Sequence, residues 1–147
     1  MWKDFIERLE AECEFRPPAS PADIKQMEDA LGVRLPNSLR ELLLETNGVY
    51  SRPMYNNVIW HTGEIIQRNT LMREDPKKAE TYMTFESLLF FADAGVDGIM
   101  FAFPISATGI VQPRNIIAWY PIEDSRPVLA FGLKDYLTRW LTSKLTL

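Results

Sequence analysis

The chain has 147 residues, of which 46% are hydrophobic and 24% charged, so its composition is that of a folded globular domain and not of a disordered chain. Its net charge of −4 disfavours nucleic-acid binding, because that function needs a cationic surface. One cysteine excludes an internal disulfide, and neither a signal peptide nor a membrane-spanning apolar run is visible. We therefore expect one cytoplasmic domain over residues 1–147 that binds neither nucleic acid nor membrane.

Apolar residues at helical spacing predict two helices at the start of the chain. The first covers residues 2–13. The second begins at Ser20-Pro21, since serine caps a helix and proline suits its first turn, and it closes at Gly32. Residues 1–32 carry eight acidic and four basic side chains. These helices therefore present either solvated acidic faces or a surface for a basic protein.

A third helix is predicted to begin between Pro36 and Ser38. Ser38 and Glu41 have the spacing of a capping box, in which each side chain binds the backbone of the other residue. Asn47-Gly48 is expected to stop this helix, because both residues tolerate a positive φ. Its apolar side consists of Leu39, Leu42, Leu43 and Thr46.

The middle of the chain changes from loop to strand to helix. Residues 49–57 are polar, aromatic and rich in turn formers, which predicts a loop. Residues 58–60 predict a short strand, and Thr62 is the expected cap of a fourth helix. The charged residues 74–81 predict a second exposed loop.

Short apolar runs separated by turn residues predict antiparallel strands in the second half. One pair covers residues 88–92 and 98–103 around a turn at 93–97, and a second covers 116–120 and 127–131 around a turn at 121–126. A closing helix covers residues 133–145. Helices, an antiparallel meander and a closing helix together indicate an α+β fold in a single domain.

The order of motifs in the first third resembles that of a known family. Gly32, then Leu35-Pro36, then a helix that ends in Asn47-Gly48, is similar to the first motif of the Smi1/Knr4 family, also called the SUKH superfamily. The resemblance assigns these five residues a structural role.

Three later segments extend the resemblance over nearly the whole chain. The turn that usually carries Gly-Asp in the family has Asp97 after a valine here. An aromatic strand is matched at Trp119, a charged turn follows at Glu123-Asp124, and Gly132 leads into the closing helix.

The resemblance implies an α+β fold and a protein-binding role without catalysis. Its bacterial members look like immunity proteins, which neutralise a toxin domain of a polymorphic toxin system, often a nuclease or a deaminase. Eukaryotic relatives act as regulatory interaction proteins, so a regulatory module without a toxin partner is the alternative. The resemblance does not specify the oligomeric state.

Catalytic and metal-binding chemistry finds little support in the residues. His61 is the only histidine, and no nucleophile motif accompanies it. Cys13 is predicted on the apolar side of the first helix, where Glu10, Glu12 and Glu14 disfavour a thiolate. Asp93 and Asp97 lack the ligand density of a calcium loop. We expect no cofactor and no metal; a small hydrolase or ligand-binding protein would have to use His61 and the aspartates.

The candidate partner-binding residues are loop aromatics and turn acids. Exposed tyrosines are common interface anchors, and acids could pair with the basic side chains that a toxin uses to bind nucleic acid. Trp60 and Trp119 are expected in the core instead. The candidates are Tyr50, Tyr55, Asp93, Asp97, Glu123 and Asp124.

Overall fold

The computed structural model describes residues 1–145 and 147 and confirms the α+β fold. The helices in this part of the chain are α1 Trp2–Leu9, α2 Pro21–Leu31, α3 Asn37–Glu45, α4 Thr62–Glu74, α5 Pro76–Thr81 and α6 Leu133–Leu141. The strands there are β1 Cys13–Phe15, β2 Val49–Ser51, β3 Asn56–Ile59, β4 Leu88–Asp93, β5 Met100–Pro104, β6 Ile116–Trp119 and β7 Val128–Ala130.

The strands form two antiparallel sheets that meet between β3 and β4. The first sheet has the order β1-β2-β3, and the second has the order β4-β5-β6-β7. At their junction the Trp60 amide donates to the Phe91 carbonyl at 2.9 Å, and the Asn56 side chain donates to the Asp93 carbonyl at 2.7 Å. The predicted strand pairs of the second half are therefore confirmed as one meander.

One hydrophobic cluster connects both sheets with the helices. Tyr136 of α6 is fully buried and packs edge-on against Phe91 and Phe101, with ring centroids 5.2 Å apart in both pairs. Trp60 and Trp119 are buried, as the sequence predicted. Aromatic rings from strands of the second sheet thus form the centre of the core.

The motif at the second helix is confirmed in detail. Ser20 and Asp23 form a capping box, with Pro21 as the first helical residue. Gly32 ends α2 with φ +64°, a left-handed conformation that glycine adopts without steric cost. Leu35 is buried, and its amide donates to Glu28 at 2.8 Å.

The predicted start of α3 is confirmed, since the helix begins at Asn37, but its predicted capping box and its predicted end are wrong. Pro36 is the N-cap, and no side chain caps this helix, so Ser38 and Glu41 form no capping box. The helix already ends at Glu45, because Thr46 is extended and its hydroxyl donates to the Gly48 carbonyl.

Asn47-Gly48 does not itself stop α3. Instead, these two residues hold the end of α3 against the start of α4. Asn47 Oδ1 accepts from the Thr62 amide at 2.9 Å, at the start of α4. Gly48 has φ +104°, and a Cβ there would lie 3.1 Å from the backbone nitrogen of His61. Only glycine fits this close approach without a shift.

Three further local expectations are wrong, two of them because strands pair with distant residues. The first helix ends at Leu9, and Cys13 lies in β1, because residues 13–15 pair with β2. Residues 49–57 contain a hairpin rather than a loop, since β2 finds partners on both sides. Residues 74–81 contain α5, which Asp75 caps and Pro76 begins.

Two helix ends also differ from the prediction. His61, and not Thr62, is the N-cap of α4, with its Nδ1 accepting from the Glu64 amide at 3.2 Å. The closing helix ends at Leu141 instead of residue 145. Residues 142–145, the last of the predicted span, are not helical.

Candidate functional site

Three chain turns lie together at one end of the sheets. The β2–β3 turn leads into Asn56, whose side chain holds the Asp93 carbonyl at the end of β4. The start of β5 pairs with the end of β6 through Met100 and Trp119, so the β4–β5 turn lies beside the β6–β7 turn. The fold therefore brings Tyr55 and all four candidate acids to the same end of the molecule.

A cleft of about 260 Å³ lies between the β4–β5 and β6–β7 turns, and we name it the turn cleft. Two aliphatic side chains at its edge are unusually exposed: Ile122 is 92% accessible and Val96 55%. Clusters of exposed apolar side chains mark interaction sites more often than single ones do. The cleft is lined by Val96, Asp97, Ile99, Tyr120, Pro121, Ile122, Glu123 and Leu147.

The turn cleft has an acidic rim with free carboxylates. Asp97 and Glu123 are exposed, and neither forms an ion pair within residues 1–145 and 147. Burial raises the pKa of the neighbouring Tyr120, so this phenol stays neutral at physiological pH. The cleft thus combines apolar walls with two unpaired negative charges.

Asp124 lies next to Glu123 but has a different environment. Its Oδ2 accepts from the Met83 amide at 2.9 Å, and its Oδ1 accepts from Trp119 Nε1 at 2.8 Å and from Arg126 at 3.0 Å. Burial alone would raise the pKa of Asp124, but these hydrogen bonds and the Arg126 charge outweigh it and lower the pKa. We therefore assign Asp124 to holding the turn rather than to direct partner contact.

Asp93 is also occupied by bonds within the chain. Its Oδ1 accepts from the Gly95 amide at 2.8 Å, and its Oδ2 accepts from Trp60 Nε1 at 2.7 Å. These bonds fix the conformation of the β4–β5 turn. Asp93 consequently positions Val96 and Asp97 at the cleft.

The two candidate tyrosines lie in different parts of the fold. Tyr55 is 85% exposed, has a positive φ of 51° and stands beside Asn56 at the turn end of the molecule. Tyr50 is half-buried in β2 and lines a different groove, together with Glu14, Arg16 and Asn57. Of the two tyrosines, only Tyr55 therefore lies at the same end of the molecule as the turn cleft.

Of the residues considered for catalysis, Asp97 lines the turn cleft, whereas His61 and Cys13 do not. The ring of His61 caps α4 through Nδ1. Cys13 is buried in β1, and burial together with the Glu10 charge raises the pKa of its thiol to about 11. A thiol with this pKa is protonated at neutral pH and is a poor nucleophile. Residues 1–145 and 147 contain no cluster of three or more His, Cys, Asp or Glu side chains that could hold a metal ion.

The sequence-based candidates omitted the apolar part of the site. Ile122 and Pro121 fall inside a segment that was read only as a charged turn, and Val96 inside one read as an Asp–Gly turn. The available signal was an isolated branched aliphatic residue in the middle of each turn. Such residues are uncommon at turn positions unless they are covered by another surface.

The fold and this surface define a class of protein: an α+β domain with a cleft built on the turns at one end of its sheets. A family model described as SMI1-KNR4 cell-wall, of SUKH type, matches residues 21–137. The chain belongs to the Smi1/Knr4 family of the SUKH superfamily, and the matched segment includes the first motif and both turns of the cleft. No curated protein matches the chain. Among the described residues, no helix is both long and apolar enough to cross a membrane.

Proposed function

We propose that this chain is an immunity protein that binds a toxin domain of the nuclease or deaminase class and covers its active site with the turn cleft. The observation that carries the proposal is the exposure of Ile122 and Val96 beside two unpaired carboxylates. The family relationship supports the same role, since immunity proteins of this type act by protein binding. We further propose that the chain acts in the cytoplasm and without catalysis.

The chemistry of the turn cleft selects the kind of surface that it would bind. Ile122 and Val96 favour a partner side chain that is apolar, because their burial removes apolar area from water. Asp97 and Glu123 favour adjacent lysine or arginine residues, and such pairs mainly raise association rate and specificity. A toxin that binds nucleic acid presents basic side chains around its active site.

Growth rescue tests the proposal. The product of the adjacent gene would be co-expressed with the wild-type chain and with the variants Ile122→Asp and Glu123→Lys. We expect the wild type to restore growth and both variants to fail, because one places a charge in an apolar contact and the other reverses the rim charge. Ile110→Asp is the matched control, since Ile110 is 60% exposed in the β5–β6 connection, away from the turn cleft.

The outcomes of these experiments distinguish the immunity protein from the regulatory module and from the hydrolase. Rescue by the two cleft variants at the level of the wild type would show that the turn cleft is not the binding surface. Binding of a stoichiometric partner without growth rescue would favour the regulatory interaction module. A measurable turnover that disappears in His61→Ala would favour the hydrolase that the sequence left open.

A further inference from the structure

We infer that Arg68 is a second partner-binding residue beside the turn cleft. Its guanidinium would donate hydrogen bonds to the carboxylate of an acidic side chain of the partner. The inference rests on the proposed function and adds the partner's charge pattern to it. Arg68 lies on α4, on the other side of the β4–β5 turn from the turn cleft. Its guanidinium donates no hydrogen bond to an oxygen atom of the described residues.

Arg68 differs in this respect from the other half-buried arginines of residues 1–145 and 147. Arg40, Arg126 and Arg139 each donate to a carboxylate at 2.7 to 3.0 Å. Arg73 donates to two backbone carbonyls, those of Leu31 and Leu88. Arg68 donates only to the thioether of Met100, at 3.4 Å. A thioether is a weak acceptor, so the guanidinium keeps most of its five donors free.

The guanidinium of Arg68 is nevertheless held in place. It stacks over the ring of the buried Trp60, with 4.8 Å between Cζ and the ring centroid. Stacking of this kind restrains the side chain before a ligand arrives, and a planar guanidinium matches a carboxylate with two parallel hydrogen bonds. The side chain is thus prepared for a ligand at little further cost in side-chain entropy.

A pocket of about 270 Å³ opens in front of Arg68, and its far wall is the β4–β5 turn. Asp93 and Asp97 also line this pocket, and no carboxylate lies within 4.0 Å of Arg68 among the described residues. Asp93 is already engaged by Gly95 and Trp60. The nearby negative charges limit the binding of a small free anion to the millimolar range, whereas a carboxylate carried by a docked protein arrives at a high effective concentration.

The β4–β5 turn therefore separates two sites that favour partner side chains of opposite charge. The turn cleft on one side favours a basic side chain, and Arg68 on the other favours an acidic one. A partner that satisfies both must carry a base and an acid on the two sides of the position where Val96 docks. This pattern discriminates against a partner that is uniformly basic, because its charges would meet Arg68.

An NMR titration of the free protein tests the anion site without any partner. Sodium acetate is added at constant ionic strength while the Nε–Hε signals of the arginines and the Nε1–H signal of Trp60 are followed. We expect saturable shifts at Arg68 and Trp60 in the millimolar range, and none at Arg40, whose guanidinium is already paired with Glu28. Arg68 signals that move no more than those of Arg40 would overturn the inference. Saturation by inorganic phosphate but not by acetate would overturn the assignment to a carboxylate.

Substitutions of Arg68 test the partner's charge through their effect on the dissociation constant of the complex with the toxin domain. Arg68→Glu is expected to weaken binding about tenfold or more and Arg68→Met to a smaller extent, with methionine keeping an aliphatic chain over Trp60. Loss of binding in the turn-cleft variants but not in either Arg68 variant would overturn the inference and leave the proposed function standing. Acetate binding at Arg68 in a chain for which no toxin partner is found would overturn the proposed function and leave only the anion site at Arg68 standing.

Discussion

Two neighbouring residues show how an individual side chain takes its role from its contacts. Glu123 and Asp124 are consecutive acids in one turn, and the sequence treats them alike. Asp124 accepts hydrogen bonds from Met83, Trp119 and Arg126, while Glu123 is exposed on the cleft rim. Asp124 also has a positive φ of 54°, which a structure retains only where other contacts fix it.

Asp124→Asn is expected to destabilise the protein by about 1–3 kcal/mol, because a charged acceptor is lost and the Arg126 guanidinium loses its counter-ion. Glu123→Gln is the control and should change the free energy of unfolding by less than about 0.5 kcal/mol, since that side chain has no partner in the described chain. Urea unfolding of both variants measures the difference. Equal losses would show that the contacts of Asp124 contribute nothing specific.

The same pair predicts a pH dependence. The pKa of Asp124 is lower in the folded than in the unfolded state, so its contribution is complete above the unfolded pKa of about 3.9 and is lost as pH falls through the folded value. The difference in unfolding free energy between wild type and Asp124→Asn should therefore be constant above about pH 5 and shrink as the pH falls below it. A difference that grew on acidification would contradict the lowered pKa.

At the scale of elements, helix boundaries depend on whether a side chain actually reaches the backbone. Ser20 and Ser38 both stand before helical segments with an acid three residues later. Ser20 is extended at the N-cap position of α2 and binds the Asp23 amide at 3.0 Å. Ser38 lies within α3, because Pro36 already occupies the cap position.

Ser20→Ala should therefore cost about 1 kcal/mol, the usual value for a lost N-cap, whereas Ser38→Ala should be neutral or slightly stabilising because alanine has the higher helix propensity. Thermal melts of the two variants make the comparison. A larger loss for Ser38→Ala would mean that α3 has a cap at that residue after all.

The two motif glycines predict a second contrast between elements. Gly32 has φ +64° and open space around a Cβ, so Gly32→Ala should cost about 1–2 kcal/mol for the left-handed conformation alone. Gly48→Ala should cost more, because its Cβ would also approach His61 N and Ile59 O at 3.1 and 3.2 Å. Chemical denaturation orders the two variants. A smaller loss of unfolding free energy for Gly48→Ala than for Gly32→Ala would contradict the close approach of Gly48 to His61 and Ile59.

At the scale of the whole molecule, a buried polar side chain links the helical layer to the second sheet. Asn69 of α4 is fully buried, accepts from the Phe90 amide at 2.9 Å and donates to the Phe90 carbonyl at 2.8 Å. Its amide therefore serves both backbone groups of one β4 residue. Because the hydrophobic cluster also runs through both sheets, we expect the chain to unfold as one unit.

Asn69→Ala should destabilise the whole chain by about 2–4 kcal/mol, since two buried backbone groups lose their partners. Far-UV circular dichroism and tryptophan fluorescence should report the same transition midpoint in wild type and variant. Asn57→Ala is the control, because Asn57 is half-buried and its side chain forms no hydrogen bond in the described structure. Separate transitions for the two probes would contradict a single domain.

The sequence by itself determined the order of most elements, the helix cap at Ser20, the helix end at Gly32 and the family motif. These features arise from interactions between residues a few positions apart, which local patterns encode directly. Only the tertiary structure decided that Cys13 lies in a strand, because that strand pairs with residues some 35 positions later. It likewise decided which acids are free and that Ile122 and Arg68 face open pockets, since burial and charge pairing depend on residues distant in the chain.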